Sequence, residues 1–110
     1  MAWEFAGRTI ATDDEGYLKE RSDWSPELRD FMAAQMGLTL TPEHLTIIAM
    51  VQRYYDEYET TPPIRGLIKL LRQEGHEELA DSIKLAVLFP EGAAKSAAKL
   101  AGLPKPVKCI

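Results

Sequence analysis

From residue 25 onward the apolar positions of this chain recur every three or four residues, the spacing that lines one face of a helix. Ser25-Pro26-Glu27 supplies a cap, a first-position proline and an acidic first turn. Leu28, Phe31, Met32 and Met36 then share a face until Gly37 ends the run. Thr41-Pro42-Glu43 repeats the start signal, and Ile47, Ile48, Val51, Tyr55 and Tyr58 follow at helical spacing. Pro62-Pro63 opens a third helix with Ile64, Leu67, Ile68 and Leu71 inward, and Gly75 stops it. Leu79, Ile83, Ala86 and Val87 mark a fourth. Pro90 separates it from an alanine-rich fifth helix around residues 93–101. Ahead of residue 25 the period changes. Trp3 and Phe5 alternate with polar residues, then Ala6-Gly7 and Arg8-Thr9-Ile10 complete a short hairpin, and Asp13-Asp14-Glu15-Gly16 reads as a turn.

These elements predict a mainly α fold: a small orthogonal helical bundle with a short N-terminal β-hairpin and an extended C-terminal arm. Residues 1–110 form one domain, with the hairpin region at 1–20, the bundle at 25–101 and the arm at 102–110. A length of 110 residues suits a single modest core. No apolar run is long enough to span a bilayer, and Met1-Ala2-Trp3-Glu4-Phe5 lacks the pattern of a signal peptide. No membrane association is expected. With one cysteine, a disulfide scaffold is excluded, and a reducing cytoplasm is the expected compartment.

Net charge is −4, unevenly spread. The last nineteen residues hold Lys95, Lys99, Lys105 and Lys108 and no acidic side chain, so residues 1–91 carry −8. An acidic body with a basic tail argues against DNA as a partner.

The single cysteine, Cys109, stands at the end of Gly102-Leu103-Pro104-Lys105-Pro106-Val107-Lys108-Cys109-Ile110. Gly102 fits the left-handed position after a helix end, and Pro104 forbids continuation. Leu103 and Lys105 each precede a proline and are biased towards extended backbone. Pro104 and Pro106 fix their own φ angles, so the arm is a semi-rigid spacer of at most roughly 30 Å. A thiol reacts as its thiolate, which Lys105 and Lys108 favour and the carboxylate of Ile110 opposes. Such an arm suits a persulfide on Cys109, accepted and handed on, or thiol–disulfide exchange with a partner. The plain alternative is a frayed terminus with an incidental cysteine. The glycine stop and the two prolines count against it.

The run Leu88-Phe89-Pro90-Glu91-Gly92, then Ala101-Gly102-Leu103 through Cys109-Ile110, resembles the C-terminus of the TusE/DsrC family of sulfur-relay proteins. The likeness continues through Gly16-Tyr17-Leu18, Ser25-Pro26, Thr41-Pro42-Glu43-His44 and Pro63-Ile64-Arg65. It implies a helical bundle with an N-terminal hairpin and a penultimate cysteine, here Cys109, that carries sulfane sulfur. DsrC-type members have a second cysteine eleven residues earlier, where this chain has Ala98, so the chain is similar to the single-cysteine TusE branch. The resemblance implies a sulfurtransferase that takes a persulfide from an upstream sulfurtransferase complex. It would pass the sulfur to the enzyme that thiolates the wobble uridine of tRNA, meeting tRNA only indirectly. The alternative on the same resemblance is a partner of a dissimilatory sulfite reductase.

Arg65, Lys69 and Arg72 form one stripe on the third helix. For Lys69 and Arg72 a solvated face is the expectation. Arg65, which lies within the resemblance, is a candidate to dock the arm or steady the thiolate. A helix-turn-helix regulator or interaction module is a further alternative, disfavoured by the acidic body. His44 and His76 share no metal spacing with the lone cysteine, so no metal and no cofactor are expected. His44 reads as a packing or capping residue, and Tyr54, Tyr55 and Tyr58 read as core and surface aromatics.

Overall fold

The computed structural model describes residues 2–106. Cys109 and Lys108, with Val107 and Ile110, lie outside the described residues, as does Met1.

Strands β1 (Ala2–Phe5) and β2 (Arg8–Ala11) pair antiparallel with Trp3 opposite Ile10. Ala6 and Gly7 both take positive φ, +52° and +76°, which matches the right-handed twist of a two-residue hairpin. An Asp13 side-chain oxygen accepts from the backbone of Glu15 and Tyr17, so the predicted acidic turn folds back and brings Thr12 opposite Leu18. After a single 3-10 turn at Arg21–Asp23, five helices follow: α1 (Pro26–Gln35), α2 (Pro42–Tyr58), α3 (Ile64–Gln73), α4 (Ser82–Leu88) and α5 (Ala93–Leu100). The mainly α expectation holds.

The start signals act as read. Ser25 Oγ accepts from the Leu28 N–H at 3.1 Å, and Pro26 occupies the first turn of α1. At α2, Thr41 and His44 form a reciprocal capping box. Thr41 N–H donates to His44 Nδ1 at 3.1 Å, so the neutral ring carries its hydrogen on Nε2. Nε2–H donates to the Leu88 carbonyl at 2.7 Å, joining the start of α2 to the end of α4. His44 is thus the packing and capping residue expected, with its ring edge-on to Phe89 at 4.9 Å.

Leu28, Met32, Ile47, Val51, Leu67, Leu71, Leu85, Leu100 and Leu103 form one continuous core. At the centre is α5, which packs against each of the other four helices. Its alanines explain this, because Ala93, Ala97 and Ala98 are buried yet small enough to let backbones approach from several sides.

At two helices the apolar spacing alone does not tell which side is buried. Tyr58, which shares the helical spacing of Ile47 and Val51, is exposed at the last turn of α2. Of the residues that mark α4, Ile83 and Val87 are 73% and 70% exposed and Ala86 is exposed, whereas Leu85 and Leu88 are the buried ones. Leu79 is buried, but in the turn before the helix. The segment carries two apolar stripes on only two turns, so periodicity could not choose between them. The His44 bond to Leu88 and the burial of Phe89 select the second.

Candidate functional site: the root of the C-terminal arm

The arm leaves α5 through a helix-ending motif that its sequence dictates. Gly102 takes φ +76°. Its N–H donates to the Lys99 carbonyl at 3.2 Å, and the Leu103 N–H reaches back to Ala98 at 3.0 Å. This is the paired reverse bonding of a Schellman stop, and Leu103 drops fully into the core beneath it. Glycine is required for a second reason. A Cβ at residue 102 would lie 2.6–2.8 Å from Cδ1, Cγ and Cβ of Trp24.

Three side chains from other elements hold the backbone at this root. Trp24 Nε1 donates to the Leu100 carbonyl at 2.7 Å. From α2, Gln52 Nε2 donates to the Ala101 carbonyl at 3.1 Å. Thr61, buried just before α3, donates from Oγ1 to the Pro104 carbonyl at 2.9 Å. Each bond goes to a carbonyl that the helix leaves open, or that a proline-containing arm has no ladder to satisfy. Beyond them, Lys105 Nζ lies 2.9 and 3.0 Å from the two Glu15 oxygens on the N-terminal turn. That pair is exposed and contributes little to stability.

Pro104 and Lys105 are exposed, and Pro106 is half-buried. Lys105 and Pro106 border an apolar groove of about 740 Å³, walled by Ile64 of α3, Leu85 of α4, Phe89 just after it, and Ala93 of α5. Arg65, next to Ile64, is exposed and makes no ion pair or hydrogen bond with any described residue. Lys69 and Arg72 are also exposed. Among the described residues no group of acidic, histidine or cysteine side chains is arranged to hold a metal ion.

Behind the arm, Tyr17 links the N-terminal turn to α5. Its hydroxyl donates to the Lys95 carbonyl at 3.3 Å, and Lys99 Nζ sits 5.2 Å from its ring centre. Burial first, then the charges of Glu15 and Asp13, push the phenol up to about 12, so Tyr17 is a neutral brace at physiological pH.

The residues that grip the arm, Trp24, Gln52, Thr61 and Glu15, escaped sequence reasoning. Trp24, Gln52 and Thr61 act on backbone carbonyls, which have no signature in sequence. The one available hint was Trp24 immediately before the Ser25-Pro26 cap, a bulky side chain with a donor that needs a partner when packed.

The central helix of a helical body thus runs out into a braced arm, and the sequence's single thiol stands three residues past the last described position. Residues 4–110 match the family described as DsrC like protein, and the chain belongs to that family. Two relatives, each named Sulfurtransferase TusE, come from Yersinia pseudotuberculosis serotype I (strain IP32953) and Escherichia coli (strain K12). The first is 50% identical over 107 residues, 97% of this chain and 99% of the relative. The second is 49% identical over 106 residues, 96% and 97% of the two chains. The fold is similar to the NMR structure of Allochromatium vinosum DsrC, with a TM-score of 0.88, 43% identity, and coverage of 99% and 97%. It is also similar to the oxidized gamma-subunit of the dissimilatory sulfite reductase (DsrC) from Archaeoglobus fulgidus, with a TM-score of 0.85, 31% identity and full coverage of both chains.

Proposed function

We propose that this chain is a sulfurtransferase of the TusE kind, a relay protein that carries one sulfane sulfur on Cys109 for thiolation of the tRNA wobble uridine. The observation that carries this reading is 49–50% identity, over nearly the full length, to proteins named Sulfurtransferase TusE, in a chain whose one cysteine is Cys109. The chemistry needs no change of net oxidation state. The Cys109 thiolate attacks the terminal sulfur of a donor persulfide, R–S–SH. A new S–S bond forms, the donor's S–S bond breaks, and the donor leaves as a thiolate. A thiolate on the acceptor enzyme then attacks the outer sulfur of Cys109–S–SH and releases the Cys109 thiolate.

Only one cysteine is present, and position 98 is a fully buried alanine, so sulfur is not held between two cysteines of this chain. That favours the tRNA reading over a full cycle with sulfite reductase. The donor is an upstream sulfurtransferase complex and the acceptor a tRNA-thiolating enzyme, both in the cytoplasm. Among the described residues no helix is long and apolar enough to cross a membrane. Lys108 favours the thiolate, and Arg65, unpaired among the described residues, is available to a charged group near the arm's end.

The test is mass spectrometry after incubation with a persulfide donor. The native protein gains about 32 Da per sulfur and Cys109→Ser gains none. Equal gain in both proteins, or no gain in the native one, overturns the reading. A deletion strain that lacks thiolated tRNA and is rescued by the native chain, but not by Cys109→Ser, separates the tRNA role from a sulfite-reductase role.

A further inference from the structure

We propose that the groove beside Pro106 and the outer face of α4 form one docking surface, used in turn by the protein that loads Cys109 and the protein that unloads it. This rests on the sulfur-carrier reading above.

Ile83 and Val87 lie one helical turn apart on α4 and are the two most exposed large hydrophobic side chains among the described residues. The others, Leu45 and Tyr58, are 36% and 57% exposed and sit on α2. Ala86 lies between Ile83 and Val87 on the one side and the groove on the other, since Ser82, Leu85 and Ala86 of α4, with Phe89 just after it, form one wall of the groove. The groove and the exposed apolar crest of α4 therefore adjoin at Ala86. An exposed apolar surface of this kind, adjoining a groove, marks an interaction site.

The arm decides what covers it. Its backbone is fixed at Leu100, Ala101 and Pro104 by Trp24, Gln52 and Thr61, so the arm cannot swing freely about its root. Pro106 itself borders the groove. Only Val107 and Lys108 separate Pro106 from Cys109, so the three steps span about 10 Å of backbone at full stretch. A partner cysteine must come within that reach, and the folded body around it then has to rest on the surface surrounding Pro106. Donor and acceptor are under the same constraint. The occupant is thus a sulfurtransferase-type protein that presents its cysteine beside an apolar surface, one such protein at a time, and donor and acceptor exclude each other.

The test uses the full chain with Ile83→Asp and Val87→Asp combined, Ala86→Arg as a second variant on the same face, and Tyr58→Asp as a control on another face. All four positions are exposed, so folding is retained. Each protein is assayed for loading by sodium polysulfide, in unloaded form for sulfur uptake from the same organism's persulfidated donor protein, and in polysulfide-loaded form for delivery to its tRNA-thiolating enzyme. The expected result is polysulfide loading within about twofold of native, with protein-to-protein transfer at least about tenfold slower in both directions. Tyr58→Asp behaves as native. An acceptor enzyme whose nucleophilic cysteine is serine inhibits loading by the donor.

Native transfer rates in both face variants overturn the proposal, as does slowing in one direction only, which would mean two separate faces. A large change in polysulfide loading assigns the groove to the chain's own last residues instead. A native dimer that Ile83→Asp/Val87→Asp splits assigns it to a second copy. If native Cys109 takes no sulfur even from polysulfide, the carrier reading itself fails, and this inference with it.

Discussion

Replacing Gly102 with alanine strikes the point where α5 becomes the arm, and its cost can be worked from the geometry. Residue 102 sits at φ +76°, which costs a residue with a Cβ about 1–2 kcal/mol. The new methyl would lie 2.6–2.8 Å from three Trp24 atoms. One of them is Trp24 Cβ, so rotating the indole does not clear the space. Forced repacking of this kind costs about 1–3 kcal/mol. If Trp24 retreats, Nε1 leaves the Leu100 carbonyl, and an orphaned acceptor costs about 1–3 kcal/mol more. These effects overlap, and the expected loss is about 3–5 kcal/mol, a large share of a small domain's stability. Urea unfolding followed by circular dichroism measures it. Gly37→Ala is the control, since its φ is +75° and its Cβ would meet nothing within 4 Å. That substitution loses only the conformational part, about 1–2 kcal/mol. The difference between the two isolates the Trp24 contact. Equal losses, within about 0.5 kcal/mol, refute the claim that Trp24 packs against the root of the arm.

Three further outcomes are expected. Thr61→Val keeps the shape but leaves the Pro104 carbonyl without its donor, costing about 1–2 kcal/mol by urea unfolding and raising the rate of proteolytic cutting in the arm. His44→Ala removes the α2 capping box, the bond to Leu88 and the edge contact with Phe89, for about 2–4 kcal/mol, and calorimetry reads this as a lower Tm. Tyr17 ionises in the unfolded chain near 10 but in the folded chain near 12, so its contribution is complete below pH 10 and is lost as pH rises towards 12. Stability should fall across that window, and the Tyr17→Phe protein should lack this part of the fall.

Local chemistry was well written into the chain where one residue decides one geometry. Ser25-Pro26 and Thr41-Pro42 set the starts of α1 and α2, and Gly102 and Pro104 set the end of α5. The orientation of α4 was not readable in this way. Its two stripes, Ile83 with Val87 and Leu85 with Leu88, are equally apolar, and a contact made across 44 residues, His44 to Leu88, settles which goes inside. The arm's stiffness was visible in its prolines. Its grip was not, because Gln52 and Thr61 seek main-chain oxygens, and any residue type could have supplied those.

Helix α5 touches every other helix, and the Gly102 and Leu103 amides close its final turn. Those two protons should therefore exchange with deuterium only through opening of the entire body, among the slowest in the molecule. A handle rooted in the last region to open keeps its aim through repeated collisions with other proteins, and its load is released by bond exchange rather than by loosening of the fold.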